Sequence, residues 1–122
     1  MSEHQQLEQI DAIFSEHFEE LGYKIYDLHT IDDPAELRKE ARAVLKGAER
    51  GVKQLKAVKV SEHVKPIKKA TIYLANVMTQ QVRLISRGKF DAAEVKQAEL
   101  TTKQEALDVA INEYVERTGG GS

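Results

Sequence analysis

The chain has 122 residues, two prolines, no cysteine and a net charge of −2. That length suits one domain with one hydrophobic core and no need of a staple. The missing cysteines exclude disulfides, thiolate nucleophiles and cysteine zinc sites. They fit a reducing, cytoplasmic setting, and a secreted fragment lacking its leader is the alternative. No apolar run reaches the roughly 20 residues of a membrane-spanning helix. The acidic, polar stretch Met1 to Asp11 is not a signal peptide. Residues 1–118 read as a single domain. Gly119-Gly120-Gly121-Ser122 has the composition of an engineered flexible linker.

The small net charge hides a segregation. Residues 1–37 carry ten acids against one base, Lys24, whereas residues 38–69 carry eleven bases against three acids. Residues 70–122 are nearly balanced, with six bases and seven acids.

Apolar residues recur at helical spacing from the start: Leu7, Ile10, Phe14, Phe18 and Leu21. Ser2 and Gln5 are placed for a capping box, and Gly22 is expected to end this first helix. The segment 22–33 then reads as a long connection. It holds Tyr23, Ile25, Tyr26, Leu28 and Ile31, too apolar for a free linker. Tyr26 and Ile31 are therefore expected to be partly buried. The same segment, with Tyr23 and Tyr26, is also a candidate recognition surface.

Asp33 as N-cap, Pro34 at the first helical position and Glu36 in the box announce a helix over 34–58. Its stripe, from Leu37 to Leu55, spans about 100° of arc, the width of a core-facing surface. A third long helix is expected over 61–87, with Pro66 in its first turn. Its apolar residues cover roughly 200°, so it should touch neighbours on two sides. Gly88 ends it. Asp91 with Glu94 reads as the capping box of a helix over 91–117, with Phe90 and Val95 as a hydrophobic staple. Ala93, Leu100, Leu107, Ile111 and Tyr114 continue its stripe. The expected fold is all-α: an antiparallel up-down bundle of three long helices plus a shorter N-terminal one, with Leu45, Leu74 and Leu107 in one core.

Catalytic signatures are missing. There is no glycine-rich phosphate loop and no nucleophile elbow. His4, His17, His29 and His63 fit neither Glu-x-x-His nor His-Glu-x-x-His spacing, so neither metal nor other cofactor is expected. His17 reads as a core-edge histidine. Gln81 and Gln104 fall on core stripes, and Gln81 should lie opposite Gln97.

The sharpest feature is a basic stripe. Lys39, Arg42, Lys46, Arg50 and Lys53 share the helix face opposite the apolar stripe. Arg42, Lys46 and Arg50 are successive i, i+4 neighbours, an arrangement that costs a few tenths of a kcal/mol per pair. Together with Tyr23 and Tyr26 these residues point to a non-enzymatic protein-interaction bundle with an acidic partner protein. Binding of nucleic acid or an anionic surface through residues 39–53 is the alternative, and self-association is open. A stripe that only solvates the helix is the plain reading to be tested against both.

Overall fold

The computed structural model describes Ser2 to Gly119. Met1 and residues 120–122, most of the expected linker, lie outside the described residues. Five helices follow one another, with no strand among the described residues: α1 (Glu3–Phe18), α2 (Leu21–Leu28), α3 (Pro34–Ala57), α4 (Lys65–Ser86) and α5 (Phe90–Arg117).

Local chemistry explains most boundaries. The Ser2–Gln5 capping box forms in both directions: Gln5 N–H donates to Ser2 Oγ and Ser2 N–H to Gln5 Oε1, at 3.1 and 2.9 Å. Asp33 caps α3 by accepting from the Glu36 N–H at 3.2 Å. Lys68 Nζ donates to the carbonyls of Lys56 and Val58 at 2.9 and 2.7 Å, satisfying acceptors at the end of α3. Gly88 sits at φ +73, where a side chain would be strained. Around it Lys89 N–H donates to the Leu84 carbonyl and Gly88 N–H to that of Ile85, both at 2.9 Å. This is the Schellman closure of α4.

Several expectations need correction. Segment 22–33 is not a long loop: it is helical through Leu28, and Gly22 lies inside α2. Leu21, Ile25 and Leu28 are themselves at helical spacing, and the break falls at Glu20, whose backbone leaves the helical region. Tyr26 is 71% exposed rather than partly buried, because that stripe turns the tyrosines outward. The third long helix starts at Lys65 instead of 61, with Val64 buried at its entrance. Finally, α5 starts at Phe90 with no side-chain cap, and Val95 is 74% exposed, so neither the Asp91 box nor the Phe90–Val95 staple forms. The tight turn at Gly88 makes Lys89 the N-cap position and carries Asp91 into the first turn, where its charge still suits the helix dipole.

The wide apolar arc of α4 has the expected consequence: α4 lies between α3 and α5. Gln81 meets Gln97 of α5 through Nε2 to Oε1 at 3.4 Å, as the turn length implied. Helix α1 lies across both α3 and α4. Phe18, Leu55, Val64 and Val82 are sealed from solvent in the cluster that joins these three helices. Burial on that scale contributes about 1.5–3 kcal/mol per large side chain. A second cluster joins Leu28, Leu37, Ala41, Ile85 and Ala93, with Ile31 packed against it.

Helix α5 is different in kind. Only Ala93 is buried along its length. Leu74 is buried and Leu45 packs on the main cluster, but Leu107 is half-buried at the surface and Gln104 is exposed. The backbone of α5 lies against α4 alone, and its stripe reaches the other helices only at the ends, through Ala93 in the second cluster and Tyr114 on Glu3 of α1.

Candidate anion-binding face

Gly51 shows which side of α3 is closed. A Cβ placed there would fall 2.6 Å from His17 Cβ and 2.7 Å from Phe18 Cε2, so α1 approaches to backbone distance. His17 is held at this edge by Gln54, Nε2 to Oε1 3.1 Å. Arg42 is nine residues away, which at 100° per residue puts it about 180° round the helix. The basic stripe therefore lies on the side of α3 away from α1.

All five expected stripe residues, Lys39, Arg42, Lys46, Arg50 and Lys53, are exposed. The structure does not gather them into one site. Lys39, Arg42 and Lys46 share a shallow groove with Arg38. Arg50 and Lys53 stand further along α3 and line neither this groove nor the larger one beside it.

The larger groove, about 620 Å³, runs between the start of α3 and the end of α4. Four arginines line it, Arg38 and Arg42 from α3 with Arg83 and Arg87 from the end of α4, over apolar surface from Leu37 and Leu45. Among the described residues no carboxylate and no residue of α1 or α2 contributes to its wall. Among the described residues none of the four arginines forms an ion pair. Arg38 Nε reaches the Pro34 carbonyl at 3.4 Å. Arg83 is half-buried and the other three are exposed.

Arg38, Arg83 and Arg87 were missed in the sequence. Arg38 stands four residues before Arg42 and completes its row. Arg83 and Arg87 make a second i, i+4 pair just before Gly88, and only the folding of α4 beside α3 brings the pairs together.

The acids of residues 1–37 do not neutralise this face. Their ion pairs among the described residues are with histidines: Glu8 with His4 at 2.8 Å, Glu16 with His17 at 3.9 Å and Glu3 with His63 at 3.3 Å. Tyr23 and Tyr26 are 77% and 71% exposed on α2 and line no part of the arginine groove.

A polar corner ties the chain ends together. Glu3 accepts from Ser61 Oγ at 2.5 Å and from Tyr114 Oη at 3.1 Å. The Ser61 hydrogen bond leads the interactions that hold the Glu3 carboxyl below its usual range. Desolvation, then the Glu3 hydrogen bond and charge, push the Tyr114 phenol up. Ser61 donates to the carboxylate and not to His63, so the corner is a structural tie rather than a nucleophile with its base.

Among the described residues no group of three or more histidine, aspartate or glutamate side chains is arranged to hold a metal ion. No described helix is long and apolar enough to cross a membrane. In comparison with known proteins, no family model, curated protein or solved structure matches this chain.

Proposed function

We propose that this chain is a non-enzymatic protein-interaction module, an antiparallel up-down bundle that binds an acidic partner protein through the outward face of α3. The observation that carries this reading is the convergence of Arg38, Arg42, Arg83 and Arg87 on one groove with no carboxylate in its wall. Uncompensated like charges at i, i+4 spacing oppose the helices that carry them. A complementary acidic surface removes that cost on binding and speeds the encounter. Lys39 and Lys46 extend the positive field along the rim. Tyr23 and Tyr26, exposed on α2, supply a second contact of the kind enriched at protein interfaces.

Nucleic acid is the competing occupant of the stripe. Among the described residues no aromatic side chain lines either basic groove to stack on a base.

The test begins with chemical cross-linking to name a partner, followed by direct binding of that purified partner. Arg42→Glu with Lys46→Glu is expected to weaken binding at least tenfold with the fold intact. Binding unchanged by this reversal, or captured partners that prove to be nucleic acid alone, would overturn the reading.

A further inference from the structure

We propose that the arginine groove recognises a phosphorylated side chain of the partner, flanked by an apolar residue. This inference rests on the partner-binding reading above and names the chemistry that the groove selects.

The residue types separate by position. Every cation in the wall of the larger groove is an arginine, whereas the lysines Lys39, Lys46 and Lys53 stand outside it on the stripe. A guanidinium offers a planar fork of donors that matches pairs of oxygens on phosphate, and lysine offers only a point charge. General attraction of an acidic surface needs no such choice. The charge is also large: four fixed cations with no carboxylate partner among the described residues. A carboxylate brings one negative charge and two acceptor oxygens. A phosphomonoester brings close to two charges and three strong acceptors, and so engages more than one fork at once.

Between the arginines the wall is mostly apolar, from Pro34, Leu37 and Leu45, with Ser86 as its uncharged polar residue. Leu37 is buried beneath the groove and Leu45 is half-buried. Such a surface gives a leucine-sized neighbour a seat and lowers the dielectric around the charges, which strengthens their pairing. The groove ends at the turn carrying Arg87 and Gly88 and lies between the start of one helix and the end of the next. That extent suits one or two phosphates on a peptide rather than a nucleic-acid backbone tracked along the molecule.

The probes are fluorescent twelve-residue peptide mixtures with a fixed central phosphoserine between leucines, the same mixtures with glutamate or serine at the centre, and inorganic pyrophosphate. Affinity is read by anisotropy, and the arginine Nε–H signals by NMR. The phosphoserine mixture is expected to bind at least tenfold more tightly than the glutamate mixture and to shift Arg38, Arg42, Arg83 and Arg87. Arg42→Lys with Arg83→Lys keeps the charge but removes two forks, and should lose tenfold or more. Lys59→Arg, at an exposed position that lines neither basic groove, should change affinity less than twofold.

Equal binding of the phosphoserine and glutamate mixtures, or full tolerance of the arginine-to-lysine pair, would overturn the phosphate inference and leave the acidic-partner reading standing. Tighter binding of pyrophosphate than of any peptide would overturn it in favour of a small-molecule site. Failure of every peptide to bind would overturn the phosphate inference, while the acidic-partner reading is decided by the purified partner and its charge-reversal variant.

Discussion

Helices α3 and α4 form two grooves with opposite fates. On one side α1 fills the groove, pressing Phe18 against Gly51 and joining Leu55 and Val82 in a sealed cluster. On the other side half-buried Leu45 offers apolar surface over buried Leu37, yet Arg38, Arg42, Arg83 and Arg87 line an open groove. Apolar surface alone does not decide which groove is covered. A further helix laid over the arginines would strand four charges without partners, a cost that completing the burial of Leu45 cannot offset. The α1 side is sealed, whereas the arginine side keeps its charges in solvent above the second cluster of Leu37, Ala41 and Ile85.

The covered side should respond most strongly to truncation. Phe18→Ala removes a ring that is 1% exposed and stacked on Phe14 at 5.3 Å. Phe→Ala in a packed core costs about 3–5 kcal/mol, to be read from denaturant unfolding. A loss below about 1 kcal/mol would mean that α1 is not part of the cooperative core.

Two glycines of α3 sharpen the contrast. Gly51→Ala puts a methyl group into His17 and Phe18, neither of which can swing away at the contacting atoms. Overpacking of this kind costs about 1–3 kcal/mol, only partly offset by the better helix propensity of alanine. Gly47→Ala meets nothing within 4 Å and should stabilise by about 0.5–1 kcal/mol. If the two variants shift the unfolding midpoint in the same direction, the close approach of α1 to α3 is wrong.

These glycines also show what the sequence could reveal. Helix ends were legible where a short-range signal decides them: Asp33-Pro34 at the start of α3, Gly88 at the end of α4, Ser2 with Gln5 at the start of α1. The central place of α4 was legible in its wide apolar arc. The Gln81–Gln97 pair followed from the length of one turn. The failures share a cause. Gly22 resembles a terminator, but a glycine is also tolerated inside a helix whose neighbours pack, and Leu21, Ile25 and Leu28 do. Asp91 resembles a cap, but the closure around Gly88 had already fixed where α5 begins. In the site, the stripe on α3 was visible because one helix carries it. The groove was not, since its other wall comes from Arg83 and Arg87, some forty residues later.

The subtlest effect concerns the polar corner that seats α1. The Glu3 carboxyl titrates below its usual range in the folded chain. Its stabilising contribution is therefore present above the unfolded value and lost as pH falls through the folded one. The raised Tyr114 phenol contributes in the opposite sense, with stability lost as pH rises through the range of that group. Thermal unfolding of the parent should weaken on acidification more than that of Glu3→Gln, the two converging once Glu3 is protonated. Parallel curves over the whole acid range would remove Glu3 from the account.

The central claim is that the exposed bases of α3 serve binding and do not hold the fold. Arg42→Glu with Lys46→Glu tests it directly when unfolding free energy and binding of the phosphoserine peptide mixture are measured on the same protein. The account predicts stability within about 1 kcal/mol of the parent, as exposed substitutions normally give, with binding reduced at least tenfold. A loss of several kcal/mol would contradict it, by showing that these bases are bound to the acidic first segment and hold the fold together.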